Sequence, residues 1–548
     1  MILDARTGTV PTNIEADVCI VGAGPAGISM ARRWLGTHVR VCLVEAGGSR
    51  PEFTGQAERE DISIGQAGVD LLRSRVSALG GTSHVWGGGC IPMGGADFAT
   101  RDWVPHSGWP LSFDQLRPHY LQACEVFGID PHHLREGSFA SGEDLACASL
   151  GNGDLQHLHF VRSPTYFGEV FGGQLARASN LQMLLHTHAL CLDASSAADH
   201  VDTLTVRVPS GQTCTVAAKY FVLAGGGVEN ARLLLLSNTV APHGLGNERD
   251  LVGRYFMEHP SCRWGVLHTP SPESITRPYD RTGGKGARPC FPELCLSERA
   301  LRSYRLLNAR VRPFAVEGPV PAGLQALRNF RRALRAPSHD ESMAIHGPLA
   351  SAQPTVSDTR PSLSLRAQVN ALATVARHPT HVMRAWQRKR HGRYPVATER
   401  VDVVGYFEQA PNPDSRVRLS QELDAMGQRR VELDWRLTPL DWHTYRCAAT
   451  LFGDALAKAS EGQFQIAPWL SEARSEPAAL YGTAHHMGTT RMARSPNEGV
   501  VDVQARVYGL DNVHIAGSSV FPTGGWAFPT FTLVAMALRL SDHLHALL

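Results

Sequence analysis

The chain has 548 residues, 43% of them hydrophobic and 19% charged, and its 53 Lys and Arg against 51 Asp and Glu leave a formal net charge of +2. That length exceeds what one hydrophobic core fills, so two interlocked domains are expected. So balanced a charge excludes the basic footprint of a nucleic-acid-binding protein, and no apolar run nears the roughly 18 residues that suggest a membrane span.

The N-terminus, MILDARTGTVPTNIEAD, lacks the basic-then-apolar pattern of a leader, which predicts a cytoplasmic protein. The 11 cysteines are scattered without a CxxC or a Cys/His cluster. They read as reduced core residues, with no metal site, Cys90 standing apart because it lies in a glycine-rich loop. The stretch DVCIVGAGPAGISMARRWLGTHVRVCLVEAG predicts a strand over Val18 to Val21, an alanine-rich helix, a second strand over Val39 to Val44, and then Glu45. Between first strand and helix, Gly22 makes a tight turn, Gly24 lets backbone approach a pyrophosphate and Gly27 lets helix pack on strand, while Glu45 can accept hydrogen bonds from a ribose diol. This is a dinucleotide fingerprint, and NAD and FAD both satisfy it.

Next, RVSALGGTSHVWGGGCIPM (75 to 93) sets Ser83, His84 and Trp86 between glycine clusters, an exposed main chain that suits a flat flavin ring better than a nicotinamide that comes and goes. KYFVLAGGGVENARLLLLSN repeats the strand, glycine turn and helix, with Tyr220 to Ala224 as strand and helix from Asn230 onward. Residues 323 to 335 form a basic amphipathic helix with Leu324, Leu327, Phe330 and Leu334 on one side, and 376 to 394 add a second basic patch. Both read first as solvated helices of a lid or substrate domain, and second as a membrane-surface contact. Residues 336 to 362 read as a loop over the site. From 407 to 437, short alternating runs broken by Pro, Asn, Asp and Gly predict hairpin strands. In HHMGTTRM, His485 and His486 are candidate catalytic groups, since a neutral imidazole can take a proton near neutral pH. The last helix is expected to begin at Pro529, with Leu533, Ala537 and Leu540 at helical spacing.

Taken in order, GAGPAG with Glu45, LGGTSHVWGGG, DWVPHSGWPLS, AGGGVENARLLLLS, LVGRYFMEHP, PNPDSRVRLS, HHMGTTRM and GVVDVQARVYGLDNVHIAGSSVFPTGG resemble the glucose-methanol-choline (GMC) family of FAD-dependent oxidoreductases. The resemblance implies an α/β, Rossmann-like FAD-binding domain (12–110, 180–262 and 480–548). It is interleaved with an α+β substrate domain on a mostly antiparallel sheet (111–179 and 263–479). It further implies oxidation of a small-molecule alcohol, with His485 as base and the N-terminus of the last helix facing the pyrimidine edge of the flavin. The cofactor would rest on Gly22, Gly24, Pro25, Ala26, Gly27, Glu45 and Ala46, on Gly80, Gly81, Thr82, Ser83, Trp86, Gly87 and Gly88, on Ala189, Ala224, Gly225 and Glu229, and on Gly517, Ser518, Phe528, Pro529 and Thr530.

The chain departs from the family pattern at two positions. Where members carry an Asn or His beside the proline to pair with the substrate oxygen, this chain has Phe528, which can neither donate nor accept. Either a group on the substrate, His486 or a water takes that place; or an apolar or aromatic substrate packs on Phe528 and Trp526 with His485 working alone, the favoured reading; or the reaction is redox-neutral, as in a lyase branch of the family. Where some members bond flavin to a His, this chain has Val85, so FAD is expected to be non-covalent. The electron acceptor is left open.

Overall fold

In the computed structural model of the chain, residues 1–52, 61–139, 153–279, 290–334, 365–471 and 480–548 are described. The strand Asn13–Val21 lies inside an eight-stranded sheet, parallel to Val41–Val44 on one side and to Thr213–Leu223 on the other. Its Val18, Cys19 and Ile20 are fully buried, as a strand covered on both faces requires. Beyond Val41–Val44 come Leu181–Leu185 and Ile2–Asp4, both parallel; beyond Thr213–Leu223 the antiparallel strands Val201–Arg207 and His188–Ala194 follow. Val513–Ile515 returns from the far end of the chain to pair parallel with the end of Thr213–Leu223. Helix Pro529–His545 packs on Pro25–Arg33 and on Phe113–Phe127, so the last helix closes onto the first.

A second, seven-stranded sheet is antiparallel throughout, in the order Gln463–Ile466, Ser261–His268, Thr398–Phe407, Ala309–Glu317, Cys290–Leu296, Leu155–Arg162 and Gly89–Cys90. Helix Pro439–Ala459 backs it. Its core centres on Trp264, whose indole lies so close to Gly405 that a Cβ there would stand 1.6 Å from the ring. The chain is thus an α/β sheet joined to an antiparallel α+β unit.

Several elements differ in length from the pattern in the sequence. The first strand begins at Asn13, the second at Val41, and the helix expected from Asn230 begins at Gly226. The hairpin is present as Arg416–Leu423 and Arg429–Trp435. The basic helix spans Ala322–Leu334, and the second basic patch is carried by Leu365–Arg377 and Pro379–Arg390. The loop expected over 336–362 lies outside the described residues. Cys90 is fully buried and burial pushes its thiol well up, so it is an inert core residue. Among the described residues no helix is long and apolar enough to cross a membrane, and no side-chain group could hold a metal ion.

Candidate active site

A cavity of about 750 Å3 is walled by residues of both large sheets. At one end is the turn after Asn13–Val21. Gly22 holds φ at +110°, and a Cβ there would lie 2.5 Å from the Ala224 carbonyl oxygen; a Cβ on Gly27 would lie 2.0 Å from that of Gly22. Gly24 differs: it lines the cavity and a Cβ on it would meet nothing within 4 Å, so the glycine leaves open a space that a side chain would enter. Glu45 braces the turn, its two carboxylate oxygens accepting from the Ala23 and Gly47 N–H groups at 2.9 Å each.

Two helices begin at this cavity, and among the described residues no side chain caps their first N–H groups. Pro25–Arg33 is preceded by Gly24 and Pro529–His545 by Phe528; neither has a side-chain cap or an acidic residue in its first turn. Each end therefore carries partial positive charge and free donors. One suits a pyrophosphate, the other a ring edge that gains negative charge. Volume, open glycine and paired helix ends fit the FAD that the sequence implies.

The histidines lie on the loop before the last part of the first sheet. Glu258, fully buried, gathers that loop by accepting N–H groups from His259 (2.9 Å), Thr483 (3.0 Å) and His485 (2.9 Å). Burial nonetheless pushes its carboxyl up to about 7. His259, also buried, has Nε2 2.9 Å from the Gly525 carbonyl, so that nitrogen carries the proton. Its neutral ring, held down to about 4 mainly by burial, then offers Nδ1 only as an acceptor. His485 Nδ1 lies 3.1 Å from that Nδ1 and 2.8 Å from the Thr483 hydroxyl, which itself donates to the His259 carbonyl. Both neighbours accept, so the network assigns the His485 proton to Nδ1 and leaves a lone pair on Nε2. His485 lines the cavity, and its Nε2 has no protein partner among the described residues. Burial, then His259 and Arg310, hold its pKa well below the usual histidine range. The site therefore presents a neutral, oriented proton acceptor.

All the residues expected to touch the cofactor line this cavity except Gly27 and Gly80, which act behind its wall, against Gly22 and Gly168. His486 reaches the cavity too, but its Nε2 is engaged by Ser74 (3.1 Å) and lies 3.4 Å from Glu258, which makes it a brace for the loop. Trp526, expected on the substrate pocket, is not on the cavity wall. Its indole is buried edge-on against Phe160, ring centroids 5.5 Å apart, because Gly525 at φ +56° turns the chain inward. Phe528 stays on the wall, 5.4 Å from the His485 ring. Val85 lines the cavity, while the adjacent His84 directs Nε2 to the Leu79 carbonyl at 2.8 Å. Sequence reading missed His259, Glu258, Thr483 and Arg310; the first two stand in the MEHP motif, which was the available signal.

The family model described as GMC oxidoreductase matches residues 411–537. The 6'''-hydroxyparomomycin C oxidase of Streptomyces lividus is 23% identical over 98% of this chain and 93% of its own length. The fructose dehydrogenase large subunit of Gluconobacter japonicus is 21% identical over 96% and 97%. Among solved structures, a formate oxidase superposes with a TM-score of 0.57 at 17% identity, covering 98% of this chain and 99% of its own. Pyridoxine 4-oxidase from Mesorbium loti gives 0.55 at 16%, covering 97% and 99%.

Proposed function

Because the chain belongs to the GMC family of FAD-dependent oxidoreductases, we propose that it oxidises the CH–OH group of an alcohol whose apolar or aromatic part lies on Phe528. The observation that carries this reading is the lone pair of His485 Nε2 on the cavity wall, fixed there by Thr483 and His259 and set beside Phe528. His485 accepts the hydroxyl proton, and the positive charge so formed on its ring is shared with two acceptors at Nδ1. A positioned base of this kind contributes roughly a hundred- to ten-thousand-fold in rate. Bound FAD would supply the acceptor for the hydride that leaves the alcohol carbon.

In holding the cofactor, the Pro25–Arg33 and Pro529–His545 ends supply N–H donors, and Gly24 keeps its side of the cavity clear. With Val85 on the cavity wall and His84 turned to backbone, FAD is held without a covalent bond. The relatives named as a 6'''-hydroxyparomomycin C oxidase and a fructose dehydrogenase support the wider class of alcohols and sugars; Phe528 supports the apolar end of it.

Anaerobic exposure of the purified yellow protein to aliphatic, aromatic and sugar alcohols tests the proposal. Bleaching of the oxidised flavin, strongest with aromatic alcohols, is expected. Turnover of an alcohol without bleaching would replace it with a redox-neutral lyase or isomerase.

A further inference from the structure

Arg310 and Arg312 stand two residues apart on the strand Ala309–Glu317, so they project from the same face of it, and both line the cavity. Arg310 is the deeper of the two, its side chain only 2% exposed. Its guanidinium lies 4.3 Å from the Tyr406 ring centroid and 4.6 Å from that of Phe528, the residue next to His485. One of its N–H groups donates to Glu293, which is equally buried and neutralises its charge. Among the described residues the remainder of its fork makes no hydrogen bond to protein.

A guanidinium carries five donors in a fixed plane, and donors withdrawn from water without partners are costly. Here the residue that carries these donors lines a cavity. They sit beside the one position where a polar side chain for the substrate oxygen is missing. His486 has its Nε2 directed to Ser74 rather than to that gap.

We propose that Arg310 is the second partner of the substrate oxygen. Its open N–H groups donate to the hydroxyl oxygen while the O–H bond breaks and the proton passes to His485 Nε2; Arg310 keeps all its own protons throughout. The sheet of the substrate side thus supplies the donor that the helix end at Phe528 lacks, and the charge that gathers on oxygen meets the fixed N–H groups of a guanidinium paired with Glu293. This assignment rests on the alcohol-oxidising reading for the identity of the oxygen, and it makes the same corner a site for small aromatic oxyanions.

Benzoate is the probe, followed by the difference spectrum of the bound flavin, with FAD content and melting temperature measured on each variant. Wild-type protein is expected to bind benzoate. Arg310→Gln should weaken that binding about tenfold to a hundredfold, the loss of a charge-assisted hydrogen bond, and Phe528→Asn added to it should restore part. If Arg310→Gln fails to fold or to retain FAD, Arg310→Lys is read instead: it keeps a charge opposite Glu293 and loses the fork, and a several-fold weakening is expected. Benzoate binding equal to wild type in the folded variant overturns the proposal, as does a wild-type protein that binds no benzoate. Arg310-dependent binding in a protein whose flavin no alcohol bleaches keeps the anion site and removes the alcohol reading.

Discussion

Removing the two acceptors that hold His485 Nδ1 is the most discriminating perturbation of the site. Thr483→Val deletes the acceptor at 2.8 Å and His259→Leu the one at 3.1 Å. Either acceptor alone still fixes the proton on Nδ1, so each single variant loses one net hydrogen bond of about 0.5 to 1.5 kcal/mol, or roughly 2- to 10-fold in rate. With both gone, a buried N–H is left unsatisfied, the ring can carry its proton on Nε2, and the loss should reach about 10- to 100-fold. The two acceptors share one N–H, so the loss in the double variant is not expected to equal the product of the singles. His259→Leu also strips the Gly525 carbonyl of its donor, so melting temperature is measured alongside. The assay is anaerobic stopped-flow reduction of bound flavin by an alcohol that bleaches the wild type. A folded, FAD-loaded double variant that reduces at the wild-type rate would refute the assignment of the His485 proton.

Gly24→Leu should leave a folded chain, because a Cβ there meets nothing, yet fill the cavity and abolish FAD retention; a yellow Gly24→Leu protein would contradict the fit. With the His485 pKa held below the ordinary value of 6.5, the proton-accepting form persists as pH falls through 6.5. The rate of flavin reduction should therefore stay level from neutral pH to below that point before declining, whereas an acid limb at or above 6.5 contradicts the burial argument. Acid precipitation should release all the yellow colour to the supernatant; flavin remaining with the pellet contradicts non-covalent attachment.

The parts of this molecule legible in its sequence are those whose geometry is set by near neighbours. The turn Gly22–Gly27 is encoded by spacing because Gly22 and Gly27 answer contacts within that turn or with the adjacent strand, while Gly24 keeps the cavity clear. The last helix is legible at Pro529 because proline fits a first helical position, and the helix starts there. The histidine arrangement was only half legible. His485 stands in a recognisable motif, but its partner His259 lies 226 residues away and is brought to it by Glu258, which clasps both backbone segments. Arg310 gives no sequence signal, being one arginine among many until the antiparallel sheet sets it over Phe528. Trp526 lies off this cavity wall, since adjacency to Phe528 says little about side-chain direction beside a glycine with positive φ.

The central claim, that a neutral His485 takes the proton of an alcohol, is tested most directly by His485→Ala. Single-turnover flavin reduction is measured anaerobically with an alcohol that bleaches the wild type. The account predicts that FAD is retained and reduction slows by about a hundred- to ten-thousand-fold; reduction at the wild-type rate in the FAD-loaded variant would contradict it.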